Sequence, residues 1–160
     1  MEATETKPGT QWFVFFKDQL LLRKGYTEKG EIRYSIPVST EPPVKPAQEA
    51  HIHNVFPPNG KQVRAFAVEQ PITETDEWVM IGLRASYEYI TTDEYRSAGK
   101  AYQILYWDEH SRFCPVCGTA MEQQTPIMKK CPNCGNEMYP PVSTAIIVLI
   151  RKGKEILLVH

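Results

Sequence analysis

Residues 114–135 read C-P-V-C-G-T-A-M-E-Q-Q-T-P-I-M-K-K-C-P-N-C-G, so one five-residue phrase occurs twice and holds every cysteine of the chain: Cys114, Cys117, Cys131 and Cys134. Two C-x2-C steps on tight turns supply four thiolates, which match the tetrahedral preference of zinc for soft ligands. Gly118 and Gly135 each follow the second cysteine of a pair. Lacking a Cβ, they can take positive φ without steric cost, so each turn can curl and aim backbone N–H groups at the sulfurs. Residues 119–130 have the length of one β-hairpin, which suits a compact ribbon. With four sulfurs around it, such a Zn2+ has no open position for water, and its role is structural. On the residues alone, tetrathiolate iron in an electron carrier stays open as the alternative.

Other uses of the cysteines fit less well. Disulfides belong to oxidising compartments, whereas the chain opens M-E-A-T-E-T-K-P-G-T, polar and without the apolar stretch of a secretory signal. A thioredoxin-like dithiol calls for one C-x2-C inside a βαβ pattern, not two in register. The expectation is a cytoplasmic protein with reduced thiols. Among 160 residues, 18 basic and 19 acidic side chains leave a net charge of −1, so no global field draws the chain to nucleic acid or to an anionic membrane. The longest strictly apolar run, residues 145–150, is too short to span a bilayer.

Upstream of the cysteines, residues 11–22 read Q-W-F-V-F-F-K-D-Q-L-L-L, two apolar runs broken by Lys17 and Asp18, which predicts a hairpin with a two-residue turn. Trp12, Phe13, Phe15 and Phe16 read as the two faces of a core strand rather than as a base-stacking platform. A polar tract leads to Tyr34, Ser35 and Ile36. A Pro-rich passage follows, with Pro37, Pro42, Pro43, Pro46, Pro57 and Pro58, and it forbids a long helix. Residues 63–69 and 77–83 are strand-like. Thr91 and Glu94 are spaced as a capping box, and Tyr95, Ala98, Tyr102 and Leu105 fall on one face of a helix running to about His110. That helix should buttress the cysteine module.

After the second knuckle comes N-E-M-Y-P-P-V-S-T and then A-I-I-V-L-I-R-K-G-K-E-I-L-L-V-H, two apolar strands joined by Arg151, Lys152, Gly153 and Lys154. An isolated hairpin is marginal in water, so the chain reads as the front of something longer. The expected class is α+β: a β-rich N-terminal domain (1–90), a connecting helix (91–110), a four-cysteine zinc ribbon (111–140) and a terminal β-hairpin from an incomplete domain (141–160).

Taken together, the lead-in I-L-Y-W-D-E-H-S-R-F-C, the double knuckle, Y-P-P-V and the apolar strand pair resemble the NADH pyrophosphatases of the Nudix hydrolase superfamily. The resemblance implies that residues 145–159 open a catalytic Nudix domain. Its helix would carry G-x5-E-x7-R-E-U-x-E-E-x-G-U, with glutamates holding Mg2+ or Mn2+ to polarise phosphoryl oxygens and generate the attacking hydroxide. This sequence has no Arg followed by Glu and no Glu-Glu pair, so the box is absent from it. The expectation is therefore split. The parent enzyme cleaves the pyrophosphate of NADH or NAD to a nicotinamide mononucleotide and AMP, extends to NAD-capped RNA, and forms a homodimer; the 160 residues alone are inactive and contain no catalytic residue.

The same resemblance singles out three substrate-binding candidates. Tyr139, directly before Pro140, is similar to an aromatic that the family sets beside the dinucleotide. Lys24, in L-L-L-R-K-G, and Arg84, in I-G-L-R, are similar to basic positions that approach the substrate phosphates. The plainer readings are ribbon packing for the tyrosine and ordinary exposed cations for the other two. An acidic contact found on the ribbon turn of some relatives is replaced here by T-P-I-M. Lys129 and Lys130 read as a solvated turn beside the knuckle. His51 and His53 form H-x-H but show no third ligand nearby in sequence, and they read as a surface pair. The competing function is a stand-alone zinc-ribbon adaptor binding protein or nucleic acid, which the lack of interleaved basic and aromatic residues disfavours for nucleic acid.

Overall fold

The computed structural model describes residues 9–47, 51–55, 63–142 and 147–158. In chain order its elements are β1 (Thr10–Phe16), β2 (Gln19–Tyr26), β3 (Ile32–Ser35), β4 (Val38–Ser39), β5 (His53–Val55), β6 (Val63–Ala67), β7 (Trp78–Gly82), a 3-10 turn (Ala85–Glu88), α1 (Thr92–His110), β8 (Glu122–Thr125), β9 (Met128–Lys130), β10 (Glu137–Met138), β11 (Arg151–Lys152) and β12 (Glu155–Ile156). The expected mixed architecture is present, strand-rich with one long helix. Among the described residues no helix is long and apolar enough to cross a membrane.

β1 is the centre of a seven-stranded sheet. Its T-Q-W-F-V-F-F run is almost wholly buried because both faces are covered. Phe13 and Phe15 point into one core with Leu20, Leu22, Ile36, Val55, Val63 and Ala65, and Trp12 and Val14 point into another with Leu21 and Phe66. Alternate residues of one strand thus feed two cores, as the period of two requires. Each buried aromatic or leucine contributes about 1.5–3 kcal/mol. The Lys17–Asp18 turn joins β1 to β2 as expected, with Lys17 left-handed at φ 52°. The strand order is β3-β2-β1-β6-β5; β4 adds to β1, β7 pairs with β2, and β1 and β6 run parallel.

Helix α1 closes the first core. Thr91 caps it: its hydroxyl accepts from the Glu94 amide at 3.3 Å while the Glu94 carboxylate accepts from the Thr91 amide at 2.9 Å. The buried stripe is Ser97, Ala98, Ala101, Ile104 and Trp107. Tyr102 and Leu105, expected on the same apolar face as Ala98, lie at its margin, half-buried against the same core. The small side chains of Ser97, Ala98 and Ala101 let the helix approach the sheet, and the tyrosines are too bulky for that line.

The terminal hairpin differs from expectation. The ladder pairs Arg151 with Ile156 and Lys152 with Glu155, so two residues expected in the turn are in strands, and Gly153 at φ 61° makes the reversal. Residues 147–150 are not in a strand, and Ile147, Val148, Leu149 and Ile150 are exposed. Nothing among the described residues covers their apolar side chains, and a bare two-stranded ladder is weak. The start of the expected strand, Ala145 and Ile146, lies outside the described residues, as do Pro57, Pro58, Val159 and His160.

Candidate metal centre

The two knuckles have the same backbone. Cys114 O accepts from the Gly118 amide at 2.9 Å and Cys131 O from the Gly135 amide at 3.0 Å, and both glycines stand at φ 74°. The Cys114 and Cys131 amides donate to Thr119 O and Asn136 O, each at 2.8 Å. One local recipe, C-P-x-C-G, has been folded twice. β8 and β9 form the hairpin between them, β10 adds to β9, and the sheet order is β10-β9-β8.

The turns bring four free thiols together: Cys114 and Cys131 are buried, Cys117 and Cys134 exposed. Sulfur separations are 3.5 Å for Cys114–Cys134, 3.4 Å for Cys117–Cys131 and 3.6 Å for Cys117–Cys134. A disulfide needs about 2.05 Å. A tetrahedron with Zn–S near 2.3 Å has edges of about 3.8 Å, so the cage needs only slight expansion. The thiols also show what a bound cation must do. The Thr119 hydroxyl and amide hold Cys117 down at about 5. Cys134 is pulled down by the Asn136 amide, yet lost solvation and three neighbouring sulfurs push it up to about 12. Without a cation the sulfurs cannot all ionise; a divalent ion removes that conflict. The donor set therefore fits zinc, held structurally by Cys114, Cys117, Cys131 and Cys134.

A second cluster, which sequence reasoning missed, ties ribbon to sheet. Lys129 is not on a solvated turn: it is buried, pairs with Asp108 Oδ1 at 2.5 Å and donates to the carbonyls of Asp108 at 2.9 Å and Ser111 at 3.4 Å. Its ammonium also lies 5.3 Å from the Trp107 ring centroid. A ribbon cation thus caps the carbonyl end of α1, where the helix dipole favours positive charge. His53 on β5 is likewise buried rather than on the surface, and its Nε2 lies 3.0 Å from Asp108 Oδ2. Burial pushes the Asp108 carboxyl up, but hydrogen bonds from His53 and Lys129 outweigh it and hold the group well below the usual carboxylate range. One sequence signal pointed here. Asp108 and Glu109 oppose the dipole in the last turn of a helix, which calls for a cation from elsewhere.

The three substrate candidates occupy separate places. Lys24 on β2 is paired with Glu74 and donates to Thr75 O at 2.9 Å. Arg84 is exposed just after β7. In the β2–β7 ladder Arg23 faces Trp78 while Gln19 faces Gly82, so Lys24 and Arg84 lie at opposite ends, roughly 20 Å apart at strand spacing. Tyr139 is exposed, and its hydroxyl donates to Glu137 Oε2 at 3.0 Å. No hydrogen bond or ion pair among the described residues joins the three.

The profile of the NADH pyrophosphatase-like rudimentary NUDIX domain matches residues 9–107, and that of the NADH pyrophosphatase zinc ribbon domain matches residues 109–139. The chain belongs to the NADH pyrophosphatase family. Among its relatives, the NAD-capped RNA hydrolase NudC of Pseudomonas aeruginosa is 36% identical over 107 residues, 66% of this chain and 38% of that protein. NudC of Pseudomonas putida strain F1 is 41% identical over 78 residues, 48% of this chain and 28% of that one. The chain thus spans well under half the length of these curated relatives. The solution structure of the E. coli ORF135 protein aligns at 9% identity and a TM-score of 0.32 over 57% of this chain and 85% of that one, too slight a likeness to argue from. Within the family, the front profile takes in the sheet together with most of α1, and the ribbon profile begins where the helix ends.

Proposed function

We propose that these residues are the front sheet and zinc ribbon of a Nudix hydrolase that cleaves the pyrophosphate of NADH or NAD, yielding a nicotinamide mononucleotide and AMP, and that also acts on NAD-capped RNA. The observation that carries this is the pairing, in one chain and in family order, of the front domain with a ribbon whose four sulfurs already form a zinc-sized cage. In this reading the zinc is structural, and hydrolysis uses Mg2+ or Mn2+ held by a glutamate-rich Nudix box that these 160 residues lack. The chemistry of the box supplies metal-polarised phosphoryl oxygens; the residues described here supply placement. Lys24 and Arg84 serve as separate phosphate-approaching cations and Tyr139 as a base-stacking aromatic. The setting is the cytoplasm, where thiolates stay reduced, and the assembly is a homodimer.

The test is an NADH hydrolysis assay with Mg2+, run on the 160 residues alone and on the same residues joined to a domain carrying the box. Turnover only in the joined protein is the expected result. Turnover by the 160 residues alone would overturn the division of labour. No turnover by the joined protein would overturn the assigned substrate.

A further inference from the structure

His51 and His53 stand two residues apart, so their side chains share one face of an extended segment, with ring centroids 6.2 Å apart. The missing third partner of this H-x-H pair comes from 55 positions away in the chain: Asp108, near the end of α1. His53 Nε2 is 3.0 Å and His51 Nδ1 3.6 Å from the same oxygen, Asp108 Oδ2. All three ligand atoms lie within 4.8 Å of one another. Zinc with nitrogen and oxygen ligands at about 2.0–2.1 Å has tetrahedral edges of about 3.3–3.4 Å, and the 3.0 and 3.6 Å edges bracket that value.

The carboxylate is divided between two tasks. Lys129 holds Oδ1, with its charge also met by the Asp108 and Ser111 carbonyls, which leaves Oδ2 to the imidazoles. A partner that fixes the carboxylate through its other oxygen is the usual way a ligand is oriented for a metal. Beside the cluster, His51, His53 and Asn54 face Gln123, Gln124 and Thr125 of the ribbon hairpin across a cavity of ≈ 380 Å³. The imidazoles thus meet Asp108 of α1 on one side and open on the other to the cavity beside the ribbon hairpin.

We propose that His51, His53 and Asp108 form a second metal site, separate from the cysteine cage, for a zinc-class divalent ion with one coordination position open to the cavity between sheet and ribbon. Two imidazoles and a carboxylate favour zinc and its neighbours over magnesium or calcium, which take oxygen ligands. Three protein ligands and a vacant fourth position form the pattern that takes water or an anionic ligand, in contrast to the closed set of four sulfurs.

The test uses the whole chain with its cysteine site already loaded with one equivalent of zinc, titrated with further Zn2+ against a chromophoric chelator. One additional equivalent is expected. His51→Ala removes an exposed ligand that belongs to neither core, and it should weaken that equivalent at least tenfold while leaving the thermal melt of the zinc-loaded chain unchanged. His110→Ala, an exposed histidine stacked on Tyr106, should leave the affinity unchanged. The proposal is overturned if no second equivalent binds, if His51→Ala binds it as tightly as the parent chain, if both variants lose it equally, or if equimolar Mg2+ displaces it.

Discussion

At the scale of single residues, the fold depends on one cation that sequence reading placed in solvent. Lys129 joins the ribbon to the carbonyl end of α1, and Asp108 joins that point to His53 of the sheet. Removing the buried Lys129 leaves the partly buried Asp108 carboxylate with only its imidazole partners; breaking a fully buried pair costs about 3–5 kcal/mol, and this one falls at the low end. Lys129→Met should therefore destabilise the chain by about 3 kcal/mol in urea denaturation; a change within experimental error would show that the pair is dispensable. The cysteines and the glycines after them were legible because their roles are local: a C-P-x-C-G turn contains its own instructions. The Lys129–Asp108 pair spans 21 positions, and no local pattern separates a buried lysine beside a knuckle from a solvated one. His53 escaped for the same reason, since its partner comes from a helix far along the chain.

At the scale of elements, helix α1 shows where periodicity succeeds and where it slips. Its start was legible from Thr91 and Glu94, because capping involves neighbours only. Thr91→Ala should cost about 1 kcal/mol, readable as a lower urea midpoint with an unchanged slope. A hydrophobicity pattern draws the buried line through Tyr95 and Tyr102 as well as Ala98, but Ala98, Ala101 and Ile104 are the residues that face the core directly. Size decides this: a helix laid against a sheet puts its smallest residues at the closest approach, and a hydrophobicity pattern does not weigh volume. Gly99 lies beside that line, and a Cβ built there meets nothing within 4 Å. Gly99→Ala should therefore raise stability by about 0.5–1 kcal/mol, measured in the same denaturation series. A loss instead would mean that the helix surface there is not free.

At the scale of the whole molecule, the sheet and the ribbon draw on different sources of stability. The sheet has two apolar cores, whereas Cys114, Lys129 and Cys131 are the only buried residues within the described span 112–142. Structural zinc contributes an apparent ~10–16 kcal/mol, so a strong chelator should abolish amide protection through β8, β9 and β10 while β1, β2 and β6 keep theirs. Hydrogen exchange distinguishes this from global unfolding, which would remove both. β1 joins β6 in parallel, Gln11 opposite Val63, so the central ladder must close a loop of about fifty residues before it gains any contact. Each knuckle closes within five residues. A nascent chain supplied with zinc can therefore complete its ribbon quickly wherever the cysteines have emerged, while the long-range pairing of β1 with β6 at the front sets the pace of the final assembly.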